Sequence, residues 1–104
     1  MASASGITCY NHGGFDMKFK VDGRKQDGTI VSSGWTEYFP EGQQRTISLG
    51  TLGLEANDSA WPVYDISGGR QNETCDAVTY DSSAGDVTYD VTGTTLSPDC
   101  SLQS

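Results

Sequence analysis

The sequence predicts an all-β fold, a small antiparallel β-sandwich of about seven strands. Three observations support that class. Phe15, Met17, Phe19 and Val21 alternate with Asp16, Lys18 and Lys20. Successive side chains of a strand point to opposite sheet faces, so this segment buries one face and wets the other. Thirteen glycines and plentiful Thr, Ser and Val among 104 residues suit strands and turns better than helices. Turn-forming residues recur at intervals of roughly eight to fifteen positions, the spacing of short strands in a sandwich.

A chain of 104 residues makes one domain, 1–104, with residues 1–5 expected to be flexible. The first strand is read over 7–10, with Cys9 in phase with Ile7. Asn11-His12-Gly13-Gly14 is a turn in which the glycines open backbone angles closed to other residues. It leads into the central strand, 15–21, whose apolar face is too heavy for a solvated edge. Asp22-Gly23 and Asp27-Gly28 bracket a hairpin connection. The third strand, 29–36, carries Val31, Ser33 and Trp35 in one phase, which puts Trp35 in the core. After the turn at Pro40-Glu41-Gly42, a fourth strand covers 43–49. Residues 50–60 read as a loop with room for one helical turn. The fifth strand is 61–67, with Pro62 expected at its start or on an edge. A polar loop at 68–74 precedes the last hairpin, 75–80 and 86–92, and 93–100 is a tail.

The formal charge of −8 disfavours nucleic acid and anionic headgroups as partners, which leaves neutral ligands. No stretch is apolar for long enough to span a bilayer, and residues 1–8 lack the pattern of a secretory signal. The expected location is therefore the cytoplasm, or outside the cell after release without a signal peptide. Asn57 and Asn72 each begin a glycosylation sequon, a weak signal by itself. Three cysteines are present. Cys9 is expected as a buried free thiol, with Cys75 and Cys100 the preferred pair, although spacing does not fix connectivity. Without a CxxC pair or an EF-hand spacing around Asp81, Asp86 and Asp90, no metal or other cofactor is expected. His12 is the single histidine and has no nucleophile signature beside it, so catalysis is not expected.

If each connection reverses the chain, loops 10–14, 36–43 and 68–75 and the stretch 94–98 meet at one end. Function tends to sit on loops held by a rigid scaffold, which makes this end the candidate ligand site. Its residues are Asn11, His12, Tyr38, Arg70, Asn72, Glu73 and Thr95. His12 and Tyr38 offer flat rings, and the others offer hydroxyl partners, the two needs of a sugar site. Trp61, with Asn57 and Asp58 at the opposite end, is the alternative.

The order NxGG[FY]xxxF, a Trp, a TIxL strand and then Gly93-Thr94-Thr95-Leu96 with Pro98 resembles the C-terminal β-sandwich of the cholesterol-dependent cytolysins. The similarity runs from Ile7 to Pro98. It implies that Thr95-Leu96 matches the Thr-Leu pair with which those toxins recognise cholesterol. Their membrane-entering loop is rich in tryptophan, whereas 68–74 has none, so insertion into a membrane is not expected. In size and acidity the chain is also similar to small mushroom lectins that bind α-galactosyl groups. That resemblance implies a fungal, non-catalytic homodimer binding galactose-terminated glycans on glycoproteins or glycolipids. A sterol- or membrane-binding module is the alternative function.

Overall fold

The structure, a computed structural model, describes residues 2–103. One sheet runs in the order β1 (Ser3–Ala4), β8 (Val78–Tyr80), β6 (Ser59–Ile66), β3 (Met17–Arg24) and β4 (Ile30–Ser32), with β7 (Glu73–Thr74) also paired to β6. The other runs β10 (Ser97–Gln103), β9 (Asp86–Thr94), β2 (Gly6–Asn11) and β5 (Gln44–Ser48). The two pack as the expected sandwich, and each is mixed, because β1 runs parallel to β8 and β2 parallel to β9.

Period-two patterning sets the core. Along β3, Met17, Phe19 and Val21 are fully buried while Lys18, Lys20 and Asp22 are half-exposed. Their cross-strand partners Ile66 and Tyr64 on β6 are buried too. From the other sheet come Ile7 and Cys9 on β2 and Tyr89 and Val91 on β9. Phe15 lies ahead of β3 and is still buried, with Phe39 set edge-on to Phe19 at 6.4 Å between ring centres. Ile47 and Val87 sit at the margin, half-buried against this core.

Several elements depart from the sequence reading, each for a physical reason. Residues 1–5 were expected to be flexible, yet Ser3–Ala4 pairs with β8 and Ala4 is fully buried; Met1 lies outside the described residues. The third strand shrinks to Ile30–Ser32 because beyond it two hydroxyls replace backbone acceptors: Val21 donates its N–H to Ser33 Oγ, and Phe19 to Thr36 Oγ1. This irregular course turns Trp35 outward, so it is exposed rather than in the core. Pro62 lies inside β6, not at its start or on an edge. Val21, opposite it, turns both backbone groups to Ser33, so this pair makes no ladder bond. On its other side Pro62 falls in the gap between β8, paired up to Ala60, and β7, paired from Val63, where its carbonyl accepts the Cys75 N–H. The supposed tail is β10, an edge strand carrying Pro98 and Asp99, residues that discourage further pairing. Gly13 and Gly14 do not adopt left-handed angles; Gly13 is needed because the Phe15 ring packs where its Cβ would stand.

A disulfide joins Cys75, beside β7, to Cys100 on β10, and so clasps the edge of one sheet to the other. Closing a loop across 25 residues removes unfolded-state freedom worth roughly 3 kcal/mol. Cys9 is free and fully buried, and burial pushes its thiol pKa well up. Burial likewise raises Tyr64 to about 12, helped by the nearby Glu73 charge, and pushes Tyr89 higher still. The Tyr89 hydroxyl donates to the Asp76 carbonyl at 2.6 Å.

This core generates three predictions. Phe19→Ala should cost about 3–5 kcal/mol, read as a lowered denaturant midpoint, and a loss under 1 kcal/mol would contradict the packing. The second concerns alkali. Cys9, Tyr64 and Tyr89 have raised pKa values in the fold, so the unfolded chain releases these protons first. Stability should therefore be full below the ordinary thiol range and fall as pH rises through it and the ordinary tyrosine range. Alkylation without reductant should label Cys9 alone, and only on unfolding.

Candidate functional site

β2, β6 and β9 all finish at the same end of the sandwich, where the chain turns back through 12–16, 67–72 and 95–96. Hydrogen bonds tie these turns together. Ser67 N–H donates to the Asp16 carbonyl at 2.9 Å, and Arg70 N–H donates to the Thr95 carbonyl at 2.9 Å. Gly42 N–H donates to the Asn11 carbonyl at 2.8 Å, which brings the 40–43 turn alongside. The expected clustering of loops is therefore present.

Asn11 anchors this end from within. Its amide NH2 donates to the carbonyls of Phe15 at 2.7 Å and Phe39 at 3.1 Å, while its side-chain oxygen accepts from Gly13 N–H. The residue is fully buried. Proposed from sequence as a ligand contact, Asn11 instead has its polar groups engaged in holding two loops.

The most exposed apolar side chain of this end is Leu96, at 74%. It occupies the two-residue turn between β9 and β10 with half-buried Thr95. That turn leans on Gly69, where a Cβ would come within 2.2 Å of the Thr95 carbonyl oxygen. Close approach of backbone to backbone thus requires glycine at 69. Beside it, Arg70 Nε pairs with Glu73 Oε1 at 3.0 Å. Exposed Asn72 holds a left-handed backbone angle of 55°, stabilised by its N–H donating to Asp65 Oδ1 at 2.7 Å. Arg70, Asn72, Glu73 and Thr95 accordingly share one corner.

His12 and Tyr38 do not join them. His12 stacks on Tyr10 at 3.9 Å and pairs through Nδ1 with Asp90 at 3.1 Å, on the outer face of the β2–β9 sheet. Tyr38 lies over Lys18 on the outer face of the other sheet. The sequence had not marked Leu96, Gly69, Lys18 or Trp35 as site residues from patterning. Leu96 carried a usable signal, since a lone leucine between threonines and Ser-Pro has no strand face to hide on.

At the opposite end a cleft of about 220 Å³ is lined by Lys25, Gln26, Asp27, Glu55, Ala56 and Asp58. Asp58 is 2% exposed, and its carboxylate accepts the N–H groups of Gln26 and Glu55, so it fastens two loops. Trp61 is half-buried on β6. Among the described residues, no group of three or more His, Cys, Asp or Glu is placed to hold a metal ion, and no helix is long and apolar enough to cross a membrane.

Fold and site together define a class: a small mixed β-sandwich that gathers its turns, and one bare leucine, at one end. No protein-family model matches the chain, and no curated protein does. Solved structures do. A structure described as a trapped toxin matches over 95% of this chain and 23% of its own length, at TM-score 0.56 and 18% identity. The human-specific toxin intermedilysin gives 0.52 at 19% identity, over 95% of this chain and 23% of that one. Pneumolysin, described as a sugar-binding protein, gives 0.51 at 15%, over the same shares. The chain spans about a quarter of the length of these cytolysin toxins. What they share with it is the fold, a cytolysin-like domain.

Gly69→Ala tests the corner's construction. The added methyl must push the Thr95–Leu96 turn away, so amide signals of 67–72 and 95–96 should shift together while those of β3 and β6 hold still. Shifts confined to residue 69 would contradict the close approach.

Proposed function

We propose that this chain is a non-catalytic module that docks on sterol-containing membrane surfaces through the Thr95–Leu96 turn. The single observation that carries the reading is Leu96: 74% exposed, at the tip of a turn braced by Gly69 and Arg70. A large apolar side chain held out on a rigid tip is suited to shallow burial among lipid headgroups. The cytolysin-like fold and the resemblance at Gly93-Thr94-Thr95-Leu96 support the same end. Burying one leucine contributes about 2 kcal/mol, which without further contacts is weaker than millimolar binding. A homodimer presenting two tips to one surface would raise the apparent affinity. The net charge of −8 selects neutral bilayers over anionic ones. Since 67–72 carries no aromatic side chain, docking stops at the surface and does not insert. The Cys75–Cys100 bridge supports action outside the cell, where oxidising surroundings keep it closed.

A second reading, glycan binding, is favoured by the Tyr10–His12 stack beside Asp90, a flat apolar plate next to a fixed acceptor. A cytolysin described as sugar-binding among the structural neighbours adds support. Galactose-terminated glycans are the ligands that the lectin resemblance suggests.

Bead capture of phosphatidylcholine vesicles, with and without cholesterol, separates the readings. Protein displayed densely on beads should capture only the cholesterol-containing vesicles, and Leu96→Asp should abolish capture without changing the fold. Capture that survives Leu96→Asp, or none at any density, would contradict membrane docking. Retention on galactose-terminated glycans with loss in His12→Ala would favour the second reading.

A further inference from the structure

We propose a second ligand site on the outer face of β3, formed by Lys18, Trp35 and Tyr38, for a sugar ring bearing a single carboxylate, a uronate. Trp35 and Tyr38 are exposed at 38% and 43%, whereas Phe39 in the same segment is fully buried. They are held in place from behind. The Ser33 and Thr36 hydroxyls accept the N–H groups of Val21 and Phe19, and Phe39 exchanges both backbone bonds with Met17. The segment that carries the rings is therefore pinned to an interior strand at several points, so the backbone beneath the rings needs no ordering when a ligand arrives.

Between the rings stands a cation. Lys18 Nζ lies 4.8 Å from the centre of Trp35 and 5.1 Å from that of Tyr38. Among the described residues no carboxylate comes within 4 Å of it. Asp65, its partner across the β3–β6 pair, is 7% exposed and directs its carboxylate to the Asn72 N–H. Lys20, 5.3 Å from Trp35, is offset by Asp22 at 3.5 Å. One ammonium thus lacks a contacting anion, which matches one negative charge on the ligand. The −8 of the whole chain disfavours a polyanion. The exposed rings accept the apolar face of a sugar, and the ammonium donates to its carboxylate. This surface shares no residue with the Thr95–Leu96 turn and does not rest on membrane docking.

The matched probes are methyl glucuronoside and methyl glucoside, which differ only in carboxylate against hydroxymethyl. Titrated into isotope-labelled full-length protein, the glucuronoside should give saturable shifts at the Trp35 indole and around Lys18 and Tyr38. The glucoside should bind at least about tenfold more weakly, a difference of about 1.4 kcal/mol. Lys18→Gln should bring the two within about twofold, and Trp35→Ala, at an exposed position, should lose both while keeping the spectrum of the folded domain. Equal affinity for the two sugars, discrimination that survives Lys18→Gln, shifts elsewhere on the protein, or no saturable shift would each overturn the proposal.

Discussion

Everything at the loop end hangs on the burial of one strand face, Met17, Phe19 and Val21, against Ile7, Cys9, Tyr89 and Val91. Apolar burial of this kind is the main favourable contribution in a domain so small, since a chain this short supports a single core. The face also sets register. A one-residue slip of β3 would bring Lys18 and Lys20 inside, so the pairing Phe19 to Tyr64 and Met17 to Ile66 is strongly specified. With that register fixed, the end of β6 falls beside the start of β3, and Ser67 reaches the Asp16 carbonyl. The turn at 67–72 is thereby held against the turn at 95–96.

Two polar devices complete what apolar burial begins. The Asn11 side chain makes three hydrogen bonds inside the fold and ties the 12–16 and 39–43 stretches into one scaffold. The Cys75–Cys100 bridge closes the flank where β10 would otherwise be an edge free to peel away. Both act on loops or edges rather than on the core, and both leave the Thr95–Leu96 tip exposed. The tip can therefore present an apolar group to a surface without endangering the core behind it.

The sandwich, the buried face of β3, the free thiol at Cys9 and the meeting of the loops at one end were legible in the sequence. Alternation and turn chemistry record which face is wet and where the chain reverses. The parallel pairing of β2 with β9 left no such trace, because a parallel contact joins strands distant in sequence and has no turn of its own. Trp35 was misplaced because side-chain hydroxyls replaced the ladder beyond Ser32, which breaks period-two phase without any glycine or proline to announce it. For the site, Arg70, Asn72, Glu73 and Thr95 came together because loop order alone dictates it. Asn11, His12 and Tyr38 did not, since burial and the direction of a side chain depend on packing.

The central claim is that the 95–96 end, and no other, meets a sterol-containing surface. The most direct measurement is paramagnetic broadening of amide signals by spin-labelled lipid in cholesterol-containing bicelles. The account predicts broadening centred on Leu96, spreading to 67–72 and 12–16, and absent from 25–29 and 49–58. Broadening centred on those last two loops, or spread evenly over the domain, would contradict it.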